Sequence, residues 1–358
     1  MHWKGALLLL AVACSGAPLP GTVSGPTEMV DVRDLSPLSG RCIVSYNVEN
    51  LFDVHDDPAT NDDDFTPQGK LQWTIDRYTT KLERLAEAIG WSADGPPAIV
   101  GLVEVENRTV VDDLARTGVL KPVGYQVVHH ESPDERGIDV ALLVDPRYGK
   151  VLRHEPLSVP LDRDRTRDVL YVEIALTGDE RLHVFVNHWP SRRDGARSVP
   201  KRMTAARVVR EAVDEVLRAD PDAQVLIMGD FNDTPLDRSV QEGLGAACDA
   251  TADASLFALM CMGQPSGNGS YNYQGEWSYL DQMVVSRALL AKVAEAMMIR
   301  MSEKVEPRPK GSAKLSARSA NDMSLGQPCC QNMVPPADTR STSRPKSSEM
   351  GSLLSNMG

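Results

Sequence analysis

In residues 225–235 the chain reads V-L-I-M-G-D-F-N-D-T-P: four apolar residues, a glycine, then Asp230, Asn232 and Asp233 in close succession. Carboxylates and carboxamides in this density can ligate a hard cation, hydrogen-bond a phosphate or take a proton from water. Asp and Asn are poor strand residues, and carboxylates are rarely buried without a partner. Turn chemistry accounts for Asn-Asp-Thr-Pro at 232–235, yet it leaves Asp230, directly behind the apolar run, unexplained. On this stretch alone the functional reading is only slightly favoured over the turn.

Other apolar runs end the same way. Residues 41–48 (R-C-I-V-S-Y-N-V) read as a strand closing on Asn47, with Glu49 and Asn50 behind it. Residues 98–105 (A-I-V-G-L-V-E-V) carry Glu104 near their end, and apolar neighbours on both parities argue against a solvent-facing position. Residues 182–189 alternate as a strand and end at Asn187-His188, followed by Arg192 and Arg193. A lone histidine at a strand end is more often structural, but two arginines on the same loop point to an anion, with Arg192 as a phosphate ligand. Residues 279–285 form a further strand holding Asp281, which needs a partner that the local sequence does not supply.

Strands ending in Asn47/Glu49, Glu104, His188 and Asp230/Asn232 imply convergence on one pocket. Oxygen donors without cysteine suit Mg²⁺, Mn²⁺ or Ca²⁺ better than structural zinc.

The elements that must position these residues follow from periodicity. Helical spacing runs from 73 to 89, with Gly90 as the stop, over a short stretch at 110–114, and again over 203–217. Residues 125–130 and 138–144 read as a strand pair around a turn at 132–137, where Arg136 and Asp139 fit a local ion pair. Arg167-Asp168 leads into a strand at 169–176. The acidic stretch 53–69 lacks the ligand alternation and glycine of an EF-hand loop. It reads first as a solvated loop, and second as a weak calcium site.

At 358 residues, 42% hydrophobic and 25% charged, the chain can bury a large α/β core. A net charge of −12 argues against sequence-independent nucleic-acid binding through a basic patch, though not against an enzyme that meets phosphate through cations. Lys4, the apolar run 6–13 and Cys14 resemble a lipoprotein leader. The expected organisation is a signal peptide at 1–14, a flexible tether at 15–40, a catalytic domain at 41–300 and an aberrant disordered tail at 301–358. The protein would then sit in the cell envelope, lipid-anchored through Cys14 and touching the membrane by that anchor only, with simple cleavage and release to the extracellular space as the alternative. The remaining cysteines fit no zinc pattern; Cys248 and Cys261 could pair, but small buried hydrophobes are the preferred reading.

Taken in order, the blocks S-Y-N-V-E-N-L-F-D, G-L-V-E-V-E-N, R-G-I-D-V-A-L-L, V-N-H-W-P-S-R, M-G-D-F-N-D and E-W-S-Y-L-D-Q-M resemble the endonuclease/exonuclease/phosphatase superfamily, particularly its secreted bacterial members. The resemblance spans about 41 to 300. It implies an α/β four-layer sandwich of two mixed β-sheets flanked by helices, and a monomeric phosphoester hydrolase of the nuclease or phosphodiesterase type using Mg²⁺ or Mn²⁺. It further implies Glu104 as the main metal ligand, with Asn47 and Glu49 completing the metal and phosphate shell. Asp230 would activate water, Asn232 would hold the phosphate, and His188 would stabilise transition-state charge. Asp281 would orient a second histidine in a C-terminal Ser-Asp-His block. The substrate would be a phosphate ester, nucleic acid included.

That block is absent. The histidines are at 2, 55, 129, 130, 154, 183 and 188, and residues 301–358 hold no Ile, Phe, Tyr or Trp. The expectation is a frameshifted tail that removes the closing strand. Two alternatives stand beside the enzyme: a non-catalytic surface lipoprotein binding phosphate esters or metal, and a non-functional product.

Overall fold

Runs of β-branched and aliphatic residues, bounded by Gly, Pro and Asp, set the strands. The computed structural model describes residues 6–12, 41–91, 96–162, 164–178, 180–261 and 269–300. The chain divides into units Met1–Ser312 and Ala313–Gly358, and every described residue belongs to the first. Cys14, the tether at 15–40 and the tail at 301–358 lie outside the described residues.

Six strands form one sheet: β1 (Ala6–Val12), β2 (Arg41–Leu51), β3 (Ile99–Val105), β4 (Gln126–His129), β5 (Asp139–Val144) and β15 (Val293–Arg300), in the order β15-β1-β2-β3-β5-β4. The second sheet has seven: β6 (Gly149–Leu157), β7 (Val169–Leu176), β8 (Arg181–His188), β9 (Gln224–Asp230), β10 (Ala246–Ala247), β11 (Leu256–Ala258) and β14 (Asp281–Ser286), ordered β10-β11-β14-β9-β8-β7-β6. A separate ribbon pairs β12 (Tyr271–Tyr273) with β13 (Glu276–Ser278).

Three apolar clusters show the layering. Ile43, Ile99 and Leu142 of the first sheet meet Val172, Leu226 and Met228 of the second in the central core. The outer face of the first sheet packs Val44, Tyr46 and Leu102 against Leu82, Leu85 and Ile89 of α1 (Ile75–Trp91) and Val110 and Leu114 of α2 (Arg108–Ala115). The outer face of the second packs Phe185 and Ile227 against Ala206, Val209 and Val213 of α3 (Val199–Ala219). Helix, sheet, sheet and helix are therefore stacked, as the resemblance implied. A one-turn helix, α4 (Arg287–Leu290), follows β14.

Two strand pairs matter most. β2 runs parallel to β3 through the α1 crossover, and β8 runs parallel to β9 through α3. Parallel strands finish at the same edge, so the four C-terminal ends come out in two adjacent pairs.

Three details differ from the sequence reading. The helix continues past Gly90 to Trp91, and Gly90 is there for close approach, since a Cβ would lie 2.3 Å from Val119 Cγ2. The apolar run behind Lys4 forms β1, hydrogen-bonded to β2 on one side and β15 on the other, so the edge of β2 is covered. A seven-residue apolar run has the length of a strand, and an unpaired sheet edge is a template for one. Cys248 and Cys261 form a disulfide, and Cys42 is a buried thiol on β2.

The two sheets approach closely at Gly101, where an added Cβ would lie 2.5 Å from Met228 Cε. Gly101→Val should cost about 1–3 kcal/mol by overpacking, and Met228→Ala in the same chain should recover part of that loss. Urea unfolding of the single and double variants measures both.

Candidate active site

Asn47 at the end of β2 donates through Nδ2 to Asp230 Oδ2 at 3.2 Å, joining the two sheets at their shared edge. Asn47 Oδ1 accepts the amide of Glu49 at 2.9 Å. Past Asn47 the ladder with β3 slips, and Glu49 and Asn50 adopt φ of 51° and 61°. Lys81 of α1, only 8% exposed, donates to the carbonyls of both residues, at 2.6 and 2.8 Å. Burial lowers its pKa to about 8, against the raising influence of Glu49 and Glu104. A buried ammonium thus holds the strained turn from below.

Glu104 leaves β3 at φ 68°, where the register with β5 also shifts. Its Oε1 lies 3.8 Å from His188 Nε2, and Asp230 Oδ2 lies 3.9 Å from the same nitrogen. Asp230 closes β9 directly after Gly229, which holds φ 130° and passes so close to Asn187 that a Cβ would meet its carbonyl oxygen at 2.0 Å. Only glycine fits there. Asn232 follows at φ 51°, donating its amide to Asp230 Oδ1 at 2.8 Å and its Nδ2 to the Trp189 carbonyl at 3.0 Å. Among the described residues, six non-glycine positions have positive φ, and four of them (Glu49, Asn50, Glu104 and Asn232) belong to this one site. Backbone strain of this kind gathers where function over-determines the geometry.

Asp281 begins β14 opposite Asp230. The partner that the local sequence did not reveal is Ser270: its hydroxyl accepts the amides of Leu280 and Asp281 at 2.9 and 3.0 Å, and its side chain hydrogen-bonds the Asp281 carboxyl. Burial first, and then the neighbouring charge of Asp230, hold Asp281 well above the usual carboxylate range. Asp230 is itself pushed up to about 6, chiefly by burial, with Glu104 adding repulsion. Three carboxyl groups crowd one buried corner.

His188, 4% exposed, is held well below the usual histidine range by burial and by the nearby positive charges of Arg167 and Arg136. It is neutral, so its Nε2 serves as a hydrogen-bond donor or acceptor rather than as a positive charge. The charge belongs to Arg167, which the sequence reading placed only as the lead into a strand. Arg167, 6% exposed, donates to Asp134 Oδ2 at 2.9 Å and to the Trp189 carbonyl at 2.8 Å, and it draws the Asp230 pKa downward. An arginine followed at once by a buried strand was the available signal.

Arg192, expected on a phosphate, is engaged by the turn that follows β9. Its Nε donates to the Asn232 carbonyl at 2.6 Å and its Nη2 to Asp233 Oδ1 at 2.9 Å, with Asp237 also paired. It braces the 230–237 turn. Where β5 begins, with Asp139 opposite Val105 at the end of β3, His129, Glu131 and Asp139 could also hold a metal. There His129 Nε2 sits 3.1 Å from Asp139 Oδ2, and Ser132 bonds the other Asp139 oxygen, so Asp139 pairs with His129 and Ser132 rather than with Arg136.

The oxygen-rich set around Glu104 fits a divalent cation. Burial raises Asp230 and Asp281 first and carboxylate repulsion second, a repulsion that a cation beside Glu104 would relieve, and hard oxygen donors match Mg²⁺ or Mn²⁺.

A model of the Endonuclease/Exonuclease/phosphatase family matches residues 42–307, and the chain belongs to that family. No curated protein matches. Among solved structures, humanized D. rerio TDP2 carrying 14 mutations is 18% identical with a TM-score of 0.47, over 69% of this chain and 83% of that one. A mannosyl-6-phosphatase of Bacteroides thetaiotaomicron is 15% identical with a TM-score of 0.46, over 68% and 84%. The human Nocturnin catalytic domain with bound sulfate is 16% identical with a TM-score of 0.43, over 58% and 75%.

The raised pKa of Asp230 makes a signed prediction. A carboxyl whose folded pKa exceeds its ordinary 3.8 lends stability below pH 3.8 and loses it as pH rises through about 6. Without metal, Asp230→Asn should therefore gain stability relative to wild type across that window, by on the order of 3 kcal/mol at pH 7. Urea titrations at pH 4 and pH 7 in EDTA check it; an unchanged difference between the two pH values would contradict it.

Proposed function

We propose that this protein is a divalent-metal-dependent phosphoester hydrolase of the nuclease or phosphodiesterase type. The observation that carries the proposal is the 3.2 Å bond from Asn47 to Asp230, which closes the two sheets around Glu104, His188, Asn232 and Asp281. Family membership supports phosphoester hydrolysis as the class of reaction.

Glu104, with Glu49 and Asn47 beside it, would hold Mg²⁺ or Mn²⁺, which when bound neutralises phosphate charge and polarises the phosphoryl group. Asp230, aligned by Asn47 and the Asn232 amide, takes the proton of the attacking water as the new P–O bond forms. Neutral His188 offers its Nε2 hydrogen bond, and Arg167 the fixed positive charge, where negative charge accumulates. Asn232 keeps one Nδ2 hydrogen on Trp189 and has the other for a phosphate oxygen. The leaving oxygen must acquire a proton, and the histidine that the resemblance would place there is absent from the sequence. Turnover should accordingly be about 10²–10⁴-fold below that of a chain carrying the block.

We assign the protein to the cell envelope; cleavage before Cys14 would remove β1 and leave that edge of β2 open in the mature chain, and the disulfide between Cys248 and Cys261 suits an oxidising compartment. The non-catalytic reading is favoured by a single observation, the missing histidine.

Hydrolysis of a chromogenic phosphodiester with Mn²⁺ tests the enzyme. Wild type should turn over slowly, and Asp230→Asn and Glu104→Gln should each fall about 10²-fold or more, to background. Calorimetry should show the cation bound by wild type and by Asp230→Asn more tightly than by Glu104→Gln. Equal cation binding by wild type and Glu104→Gln would overturn the ligand assignment. Binding without any turnover would favour the non-catalytic reading. For the anchor, wild type expressed in a bacterium should partition into detergent and Cys14→Ala should not; a water-soluble wild type would contradict lipidation.

A further inference from the structure

The β4–β5 hairpin carries a second cluster that the hydrolytic chemistry leaves unused. The two strands pair antiparallel, with Val128 opposite Leu142 and His129 opposite Ala141. Continued by two residues, the same register would set Glu131 opposite Asp139, with His129 diagonal to Asp139. Side chains two residues apart on a strand share a face. Val127 and Ala141 pack in the outer cluster of the first sheet, so His129 and Asp139 fall on that outer face. Two carboxylates facing each other across a strand pair repel.

Burial sharpens the conflict. The side chains of His129 and Asp139 are each 2% exposed, whereas that of Glu131 is 71% exposed. His129 Nε2 lies 3.1 Å from Asp139 Oδ2, and the amide and hydroxyl of Ser132 both donate to Asp139 Oδ1. The other ring nitrogen, Nδ1, faces Glu131 Oε1 at 3.8 Å, beyond hydrogen-bond length. One ligand atom from each of the three residues lies within 4.8 Å of the other two. Donors bound to one zinc ion at about 2.0–2.2 Å stand no more than about 4.4 Å apart, a difference that the exposed Glu131 side chain can close by turning. The neighbouring histidine pair is unlike this set, because His130 Nε2 and His154 Nδ1 lie 2.8 Å apart and bond each other directly.

We propose that His129, Glu131 and Asp139 bind a zinc ion, with water completing its coordination. One imidazole and two carboxylates suit zinc, whereas magnesium prefers oxygen alone and keeps several of its waters. The ion would neutralise the facing carboxylates and close the segment 129–139. Asp134, which pairs with Arg167 at 2.9 Å, lies in that segment, so the ion would also steady Arg167. Its role is positional: no bond is made or broken there, and it stands whether or not Glu104 holds a catalytic cation.

The test removes the catalytic ligand first. The full chain carrying Glu104→Gln, freed of metal, is titrated with zinc at neutral pH by calorimetry, alone and combined with Glu131→Gln, His129→Gln or His154→Asn. Glu104→Gln should bind zinc at least about tenfold more tightly than magnesium. Glu131 is exposed, so Glu131→Gln keeps the fold; it should weaken zinc binding at least about tenfold, as should His129→Gln. Saturating zinc should raise the Tm of Glu104→Gln and should not raise that of the combination with Glu131→Gln. His154→Asn should leave zinc affinity unchanged. Comparison of wild type with Glu104→Gln reports the catalytic cation separately. No zinc binding by Glu104→Gln, magnesium bound as tightly, an affinity unchanged by Glu131→Gln, or a loss confined to His154→Asn would each overturn the proposal, the last by moving the ion to the His130–His154 pair.

Discussion

Three carboxyl groups, from Glu104, Asp230 and Asp281, meet in a corner sealed by two packed sheets, and that crowding governs the site. Burial already disfavours the charged forms of Asp230 and Asp281, and neighbouring carboxylate charge, that of Glu104 included, raises both further. The surrounding groups answer this constraint. Arg167 supplies a buried positive charge, His188 stays neutral, and Lys81 grips the carbonyls of Glu49 and Asn50 from inside α1. Residual negative charge is what a divalent cation would neutralise.

Strand topology makes the corner possible. The β2–β3 and β8–β9 pairs are each parallel, so their carboxyl ends share one edge, and β14 enters antiparallel to put Asp281 beside Asp230. The ladders of β2 and β3 then break around the positive-φ residues Glu49 and Glu104, and Asn232 turns the chain at positive φ just past β9. The strain swings side chains off the pleat and into the pocket, and the packed sheets beneath hold it in place. Gly229 serves the same end by letting the β8 and β9 backbones meet, and Gly101 by leaving room for the Met228 side chain.

Local signals carried much of this in the sequence. An acid directly behind a four-residue apolar run identified Asp230, and a glutamate flanked by apolar residues on both parities identified Glu104. Asn47, His188, Asn232 and Asp281 stand at the same edge. What the sequence did not show depends on distance in space. Arg167 finds Asp134 and Trp189 at separations of 33 and 22 residues, and Asp281 finds Ser270 across the ribbon. Arg192 also has partners the sequence did not show, Asn232, Asp233 and Asp237, which lie about forty residues on in a turn that folds back onto it. Likewise the run 6–12 has a leader's composition, yet an open edge on β2 accepts it as a strand. Composition does not distinguish those two fates.

The central claim is that these strand ends form a divalent-cation site. Crystals of the full chain grown with Mn²⁺, measured at a wavelength sensitive to manganese, locate the ion directly. The account predicts an anomalous peak bounded by Glu104, Glu49 and Asn47, next to Asp230. A fully loaded crystal with no peak there, or with manganese only at His129, Glu131 and Asp139, would contradict it.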